Sequence, residues 1–134
     1  MTFEEELNVL SSECKRLIRC GQISMYSESL KKLADLFRRN NHVVGWLKML
    51  SVSFYIDLSG FSRAPYIDRE LAEQIRAAVS LKEIDVCEFE RLYFSWVQPD
   101  MITQYALSVK DSWYLMRLCI EGKVEQAEYI LAKI

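Results

Sequence analysis

The segment at residues 42–58, HVVGWLKMLSVSFYIDL, is apolar on nearly every side of a helix, and it constrains the fold more than any other part of the chain. It is shorter than the roughly 20 apolar residues that a membrane-spanning helix needs. Lys48 lies near its middle, where a charge is costly in lipid. The segment therefore predicts a central helix of a water-soluble protein, covered by neighbouring helices on most sides.

The remaining apolar residues recur at helical spacing along the whole chain, and no stretch of useful length alternates as a strand does. Glycine and proline number only 4 and 2 among the 134 residues, too few for the turns of an all-β domain. We predict a single all-α domain over residues 1–134, a compact bundle of seven or eight helices. The predicted helices span about residues 2–20, 25–39, 42–58, 67–79, 86–97, 101–109 and 113–121, and an eighth follows Gly122.

Several predicted helices carry recognisable capping residues at their starts. Thr2 and Asp85 each precede a glutamate by three residues, which is the capping-box spacing. Ser80 has the same spacing and competes with Asp85 as a helix start. For the seventh predicted helix, Asp111 or Ser112 is the expected N-cap.

The last two predicted helices form a hairpin at a glycine, and its small and apolar residues have a recognisable spacing: Gly122, Val124, Ala127, Leu131 and Ile134. This pattern resembles the helical hairpin of tetratricopeptide or pentatricopeptide repeats, and the resemblance implies a groove that binds a peptide or helix. The small residue of the family's first helix is replaced by Leu115. With the family period of about 34 residues, the position preceding Gly122 falls at Glu88, inside a predicted helix. We therefore expect degenerate repeat-like hairpins rather than a regular array.

No recognisable motif gathers residues for catalysis or metal binding. His42 is the only histidine, and any Ser-His or Cys-His site would have to use it. The cysteines form no C-x-x-C pair, and we expect free buried thiols in a reducing cytosol: Cys14, Cys20, Cys87 and Cys119. We expect no enzyme activity, no metal and no cofactor. A carboxylate-based enzyme is the last of three functional alternatives.

The formal charge of −2 and the pI of about 5.5 do not favour binding to phosphate backbones. Residues 1–67 carry nine basic and seven acidic residues, whereas residues 68–134 carry eight and twelve. The second predicted helix nevertheless has basic residues that could form one face near Tyr26: Lys31, Lys32, Arg38 and Arg39, with Lys48 beyond. A nucleic-acid-associated regulator using this face is the second functional alternative.

Protein binding is the preferred interpretation. The loop after the apolar helix combines Phe61, Arg63 and Tyr66, side-chain types that often anchor interfaces, although Phe61 and Tyr66 could instead fold back onto the bundle. With Arg38 and Arg39, these are the predicted partner-binding residues. We expect a cytoplasmic adaptor, chaperone or immunity-type inhibitor that binds another, basic protein and neither nucleic acid nor membrane. A homodimer through the apolar third and fifth predicted helices is an alternative. The acidic N-terminus lacks the features of a signal peptide.

Overall fold

The computed structural model describes residues 1–60, 64–98 and 107–134. Over these ranges the chain forms seven α-helices and no strand, which confirms the all-α prediction. The helices are α1 (Phe3–Arg19), α2 (Ile23–Arg39), α3 (Val43–Ser59), α4 (Arg69–Lys82), α5 (Val86–Trp96), α6 (Val109–Ile120) and α7 (Val124–Leu131). The helix predicted over residues 101–109 lies for the most part outside the described residues.

Four of the connections between consecutive helices share one backbone geometry, including that between α4 and α5, where Glu83 has φ 56° and the Ile84 N–H donates to the Val79 carbonyl. The other three join helices that pack as hairpins. In each, a residue with positive φ ends the preceding helix: Gly21 at 71°, Asn41 at 60° and Gly122 at 81°. The N–H of the following residue donates to the carbonyl five positions earlier, as in the Schellman motif. A β-branched residue then begins the next helix: Ile23, Val43 or Val124. The α1–α2, α2–α3 and α6–α7 pairs are therefore helical hairpins with similar turns.

Two of the predicted helix N-caps are confirmed by the structure, and the predictions for two other helix starts are corrected. Thr2 and Asp85 each accept a backbone N–H from the residue three positions later, as predicted. Ser80 lies inside α4, so its role as a competing start is wrong. α6 begins earlier than predicted because Ser108 caps it, accepting the Asp111 N–H at 3.1 Å. Asp111 and Ser112 therefore lie in its first turns rather than before it.

Helix α3 lies at the centre of the fold, in contact with α2, α4, α5 and α6. Every residue over positions 50–58 is buried, whereas Lys48 is exposed. This arrangement confirms the prediction of a central helix covered by its neighbours. Within the described ranges, no helix combines the length and apolarity needed to cross a membrane.

Gly45 of α3 packs directly against the Phe37 ring of α2. A Cβ atom added there would lie 2.7 Å from Cδ1 of Phe37 and 2.9 Å from its Cγ. The Phe37 ring packs edge-on against Phe3 and against His42, and these two rings stack with centroids 4.9 Å apart. The lone histidine therefore belongs to an aromatic cluster where α1, α2 and α3 meet.

We expect Gly45→Ala to lower the free energy of unfolding by about 1 kcal/mol, measured by urea denaturation. Alanine stabilises a helix by about 1 kcal/mol relative to glycine. The added methyl group overpacks against the Phe37 ring, however, and overpacking costs about 1–3 kcal/mol. Adding Phe37→Leu should recover part of the loss by making room for the methyl group. A Gly45→Ala variant more stable than the wild type would contradict this account of the packing.

Candidate functional site

A groove of about 800 Å³ runs along the surface where α3 is flanked by α2 and α4. Trp46 and Leu50 of α3 form its floor together with Leu71 of α4. Its walls carry polar and charged side chains from α2 and from the start of α4: Lys31, Asp35, Arg38, Asp68, Glu70, Glu73 and Gln74. The groove exists because α2 and α4 both pack on the same central helix.

The floor of the groove is apolar, and it is held by a contact between two helices. The Trp46 indole N–H donates to Oε1 of Gln74 at 3.4 Å and so connects α3 to α4. Ala77, one turn further along α4, is exposed and lines the groove with only a methyl group. The indole of Trp46 therefore lies at the base of an open channel with one small residue at its edge.

The basic residues of the α2 wall are bound to acidic residues of the same protein. Arg38 and Arg39 both hydrogen-bond to Asp35, the latter from Nε at 2.9 Å. These hydrogen bonds, from Arg38 and then Arg39, hold the pKa of Asp35 below its usual value. Arg39 also lies 3.7 Å from Glu6 of α1. The α2 wall thus has little free positive charge.

The α4 wall is acidic. Asp68, Glu70 and Glu73 line it within the first turns of the helix. Glu73 lies 3.7 Å from Arg76, and both side chains are largely exposed to solvent, so this pair is weak. In the part of the chain that the structure describes, Glu70 has no ion-pair partner. This wall therefore presents negative charge to the groove.

A buried charge cluster lies at the Lys31 end of the groove. Asp57 on α3 is only 2% exposed, and its Oδ2 lies 3.5 Å from Nζ of Lys31. The same ammonium lies 3.6 Å from Asp68 and 3.4 Å from Glu28. Because Asp68 is also the N-cap of α4, Lys31 connects α2, α3 and the start of α4.

Burial sets the protonation behaviour of this cluster. Desolvation raises the pKa of Asp57 above its ordinary value, although the Lys31 charge and a hydrogen bond from Tyr66 lower it. Desolvation opposes the charge on Lys31, but Asp57, Glu28, Tyr66 and Asp68 together outweigh it and raise the pKa of Lys31. The lysine is therefore charged at neutral pH.

Asp57 also accepts a hydrogen bond from Ser27 at 3.4 Å, and Ser27 bonds Ser53 at 2.9 Å. Neither Asp57 nor these serines line the groove. The cluster is thus a structural link between helices, placed beside the groove rather than open to it.

The predicted partner-binding residues are distributed unevenly around this site. Phe61 and Arg63 lie outside the described residues. Tyr66 is half-buried, and its backbone N–H donates to the Asp57 carbonyl at 3.4 Å. Arg38 lines the groove, whereas Arg39 lies beside it on α2. Tyr26, expected near a basic face, is 7% exposed and belongs to the core.

Sequence reasoning missed most of the groove. The sequence pattern places Trp46 in the central helix and gives it no surface role. Asp68, Glu70 and Glu73 contribute only to the acidic second half of the chain. Two signals were present: a lone carboxylate, Asp57, within an apolar helix, and acidic residues clustered at one helix start. Neither signal indicates which helices flank the groove.

The cysteines are free, but only two are buried. Cys14 and Cys119 lie in the core, whereas Cys20 and Cys87 are exposed. The expectation of burial is therefore wrong for Cys20 and Cys87. Across residues 1–60, 64–98 and 107–134, no group of three or more His, Cys, Asp or Glu side chains is arranged to hold a metal ion.

No family model, no curated protein and no solved structure matches the chain. The resemblance of the closing hairpin to tetratricopeptide or pentatricopeptide repeats therefore stays a prediction.

We expect Lys31→Met to lower the free energy of unfolding by about 2 kcal/mol at about pH 7, because it leaves the Asp57 carboxylate buried without its cation. Asp57 binds its proton more tightly in the folded than in the unfolded protein. Proton binding by Asp57 therefore stabilises the fold fully below pH 3.8, and this stabilisation is lost as the pH rises through the pKa of the folded state. Removing Lys31 raises that pKa further. The loss of stability caused by Lys31→Met should therefore become smaller as the pH is lowered towards about 4, measured by urea denaturation at each pH.

The exposed neighbour supplies the control for this experiment, since Lys32→Met removes the same charge from the same helix. It should change stability little at either pH. In the double variant Lys31→Met, Asp57→Asn, the pH-dependent part of the loss should disappear. A loss equal at both pH values in Lys31→Met would exclude Asp57 as its cause.

Thiol reactivity should separate the cysteines into two pairs. Burial raises the pKa of the Cys14 thiol and raises that of Cys119 to about 12. Two thiols of the native protein should react promptly with Ellman's reagent, and the other two only after denaturation. Single Cys20→Ser and Cys87→Ser variants should each remove one prompt thiol. Prompt reaction of a third would contradict the burial described above.

Proposed function

We propose that the chain is a non-catalytic protein-binding module and that the groove along α2, α3 and α4 is its docking surface. The observation that carries the proposal is an open groove with an apolar floor and a charged rim. Interfaces commonly combine an apolar centre with a polar edge. An adaptor, a chaperone and an immunity-type inhibitor are all modules of this kind.

The dimensions of the groove fit a segment of polypeptide. Its lining extends from Lys31 to Arg38 on α2 and from Asp68 to Ala77 on α4. At 1.5 Å per residue these walls are roughly 10–14 Å long, enough to hold two turns of a helix. A helix laid between two flanking helices places one anchor side chain over the floor, as in helix-in-groove recognition. Trp46 is the natural contact for that anchor.

The two other functional predictions have no specific support among these observations. For nucleic-acid binding, three of the four basic residues of the proposed α2 face are paired with acids, Lys31 with Asp57 and both Arg38 and Arg39 with Asp35, which leaves Lys32 exposed. For carboxylate chemistry, the buried Asp57 does not line the groove. Both stay predictions, as does the homodimer.

We expect Ala77→Trp to abolish recovery of the partner when the tagged protein is purified from its native cell. The indole fills the groove from an exposed position, so the fold should tolerate the change. The matched control is Ser12→Trp, which places the same side chain at an exposed position on α1, away from the groove. Partners are identified by mass spectrometry and compared between the two variants.

Folding of both variants is checked by circular dichroism and thermal unfolding. A partner recovered with wild type and Ser12→Trp but lost with Ala77→Trp is the expected result. Equal recovery with all three proteins would exclude the groove as the docking surface.

A further inference from the structure

We infer that the groove receives a basic amphipathic segment of another protein, which places an aliphatic side chain over Trp46 and lysine or arginine side chains along the α4 wall. This inference rests on the proposed function of the groove. It adds the chemistry of the partner, which groove shape alone does not define.

The charge of the lining favours a basic occupant. Four acidic side chains line the groove against two basic ones, and three of the four belong to the start of α4. Glu70 and Glu73 are three residues apart and therefore lie on the same face of the helix. A cation that enters the groove thus meets neighbouring carboxylates on one wall.

The basic residues of the lining offer little to an acidic occupant. Lys31 lies within 3.6 Å of three carboxylates, one of them buried. Arg38 is hydrogen-bonded to Asp35. An acidic ligand would have to break these contacts to pair with Lys31 or Arg38. A basic ligand can pair directly with Glu70, which has no ion-pair partner among the described residues. The same negative wall repels the phosphates of a nucleic acid.

The wall and the floor contribute differently to binding. Exposed ion pairs are weak, so Glu70 and Glu73 mainly direct the approach and orientation of the partner. The apolar contact supplies the larger part of the affinity. Trp46 is only 7% exposed, so the apolar surface removed from water is mainly that of the partner's own aliphatic side chain. A partner with basic charge alone, and no apolar face, should therefore bind poorly.

The test uses two short amphipathic peptides, one of leucine and lysine and one of leucine and glutamate at the same positions. Binding to the full chain is followed by NMR through the indole N–H signal of Trp46, which a Trp46→Phe variant identifies. We expect the lysine peptide to shift this signal at lower concentration than the glutamate peptide. A leucine-free lysine peptide should shift it least.

A pair of charge-matched double variants locates the attraction. Glu70→Gln with Glu73→Gln should weaken binding of the lysine peptide by about fivefold, the effect of two exposed ion pairs. Glu88→Gln with Glu90→Gln removes the same charge from α5, outside the groove, and should leave the affinity unchanged.

Failure of this inference is distinguishable from failure of the proposed function. Preferential binding of the glutamate peptide at Trp46 would overturn the basic partner and leave the groove as a docking surface. If both double variants weakened binding equally, the attraction would depend only on the net charge of the protein, and the inference would also be overturned. If neither peptide shifts the Trp46 signal, the inference fails, and the Ala77→Trp comparison decides separately whether the groove binds a partner.

Discussion

Burial of α3 is the constraint on which the rest of the structure depends. Its residues 50–58 are buried on every face, so no single neighbour can cover it. Among the described residues, α2, α4, α5 and α6 contact it, and the hairpin turn at Asn41 brings α2 directly against it. α2 and α4 flank it, and the space between them over its first turns is the groove. The candidate site is thus a consequence of how one apolar helix is covered.

The charge pair between Lys31 and Asp57 places a carboxylate within a largely apolar core. A carboxylate that is 2% exposed carries a large desolvation cost, which the ammonium, Ser27 and Tyr66 offset only in part, so the pKa of Asp57 stays raised. Such pairs contribute more to a defined arrangement than to net stability in some proteins. Here the same ammonium contacts Asp68, the N-cap of α4, and so helps to place the acidic wall of the groove.

The predictions from sequence succeeded where a local rule applied. Gly122 ended a helix, and Thr2 and Asp85 capped two others, because each depends only on its own backbone neighbourhood. They failed where several local rules competed. Three residues here are acceptable N-caps: Ser108, Asp111 and Ser112. The helix starts at Val109, and the Ser112 side chain inside it hydrogen-bonds to the Tyr93 hydroxyl at 2.9 Å.

The sequence alone determined the all-α class, the central place of α3, the closing hairpin at Gly122 and the excess of acid in the second half. These follow from periodicity, backbone preference and composition, which are properties of short stretches of chain. Tertiary packing decided that α2 and α4 flank the same helix, that Trp46 forms a floor and that Lys31 reaches Asp57 and Asp68. These contacts join side chains that are 26 to 37 positions apart in the sequence, and no local preference encodes which distant side chains meet.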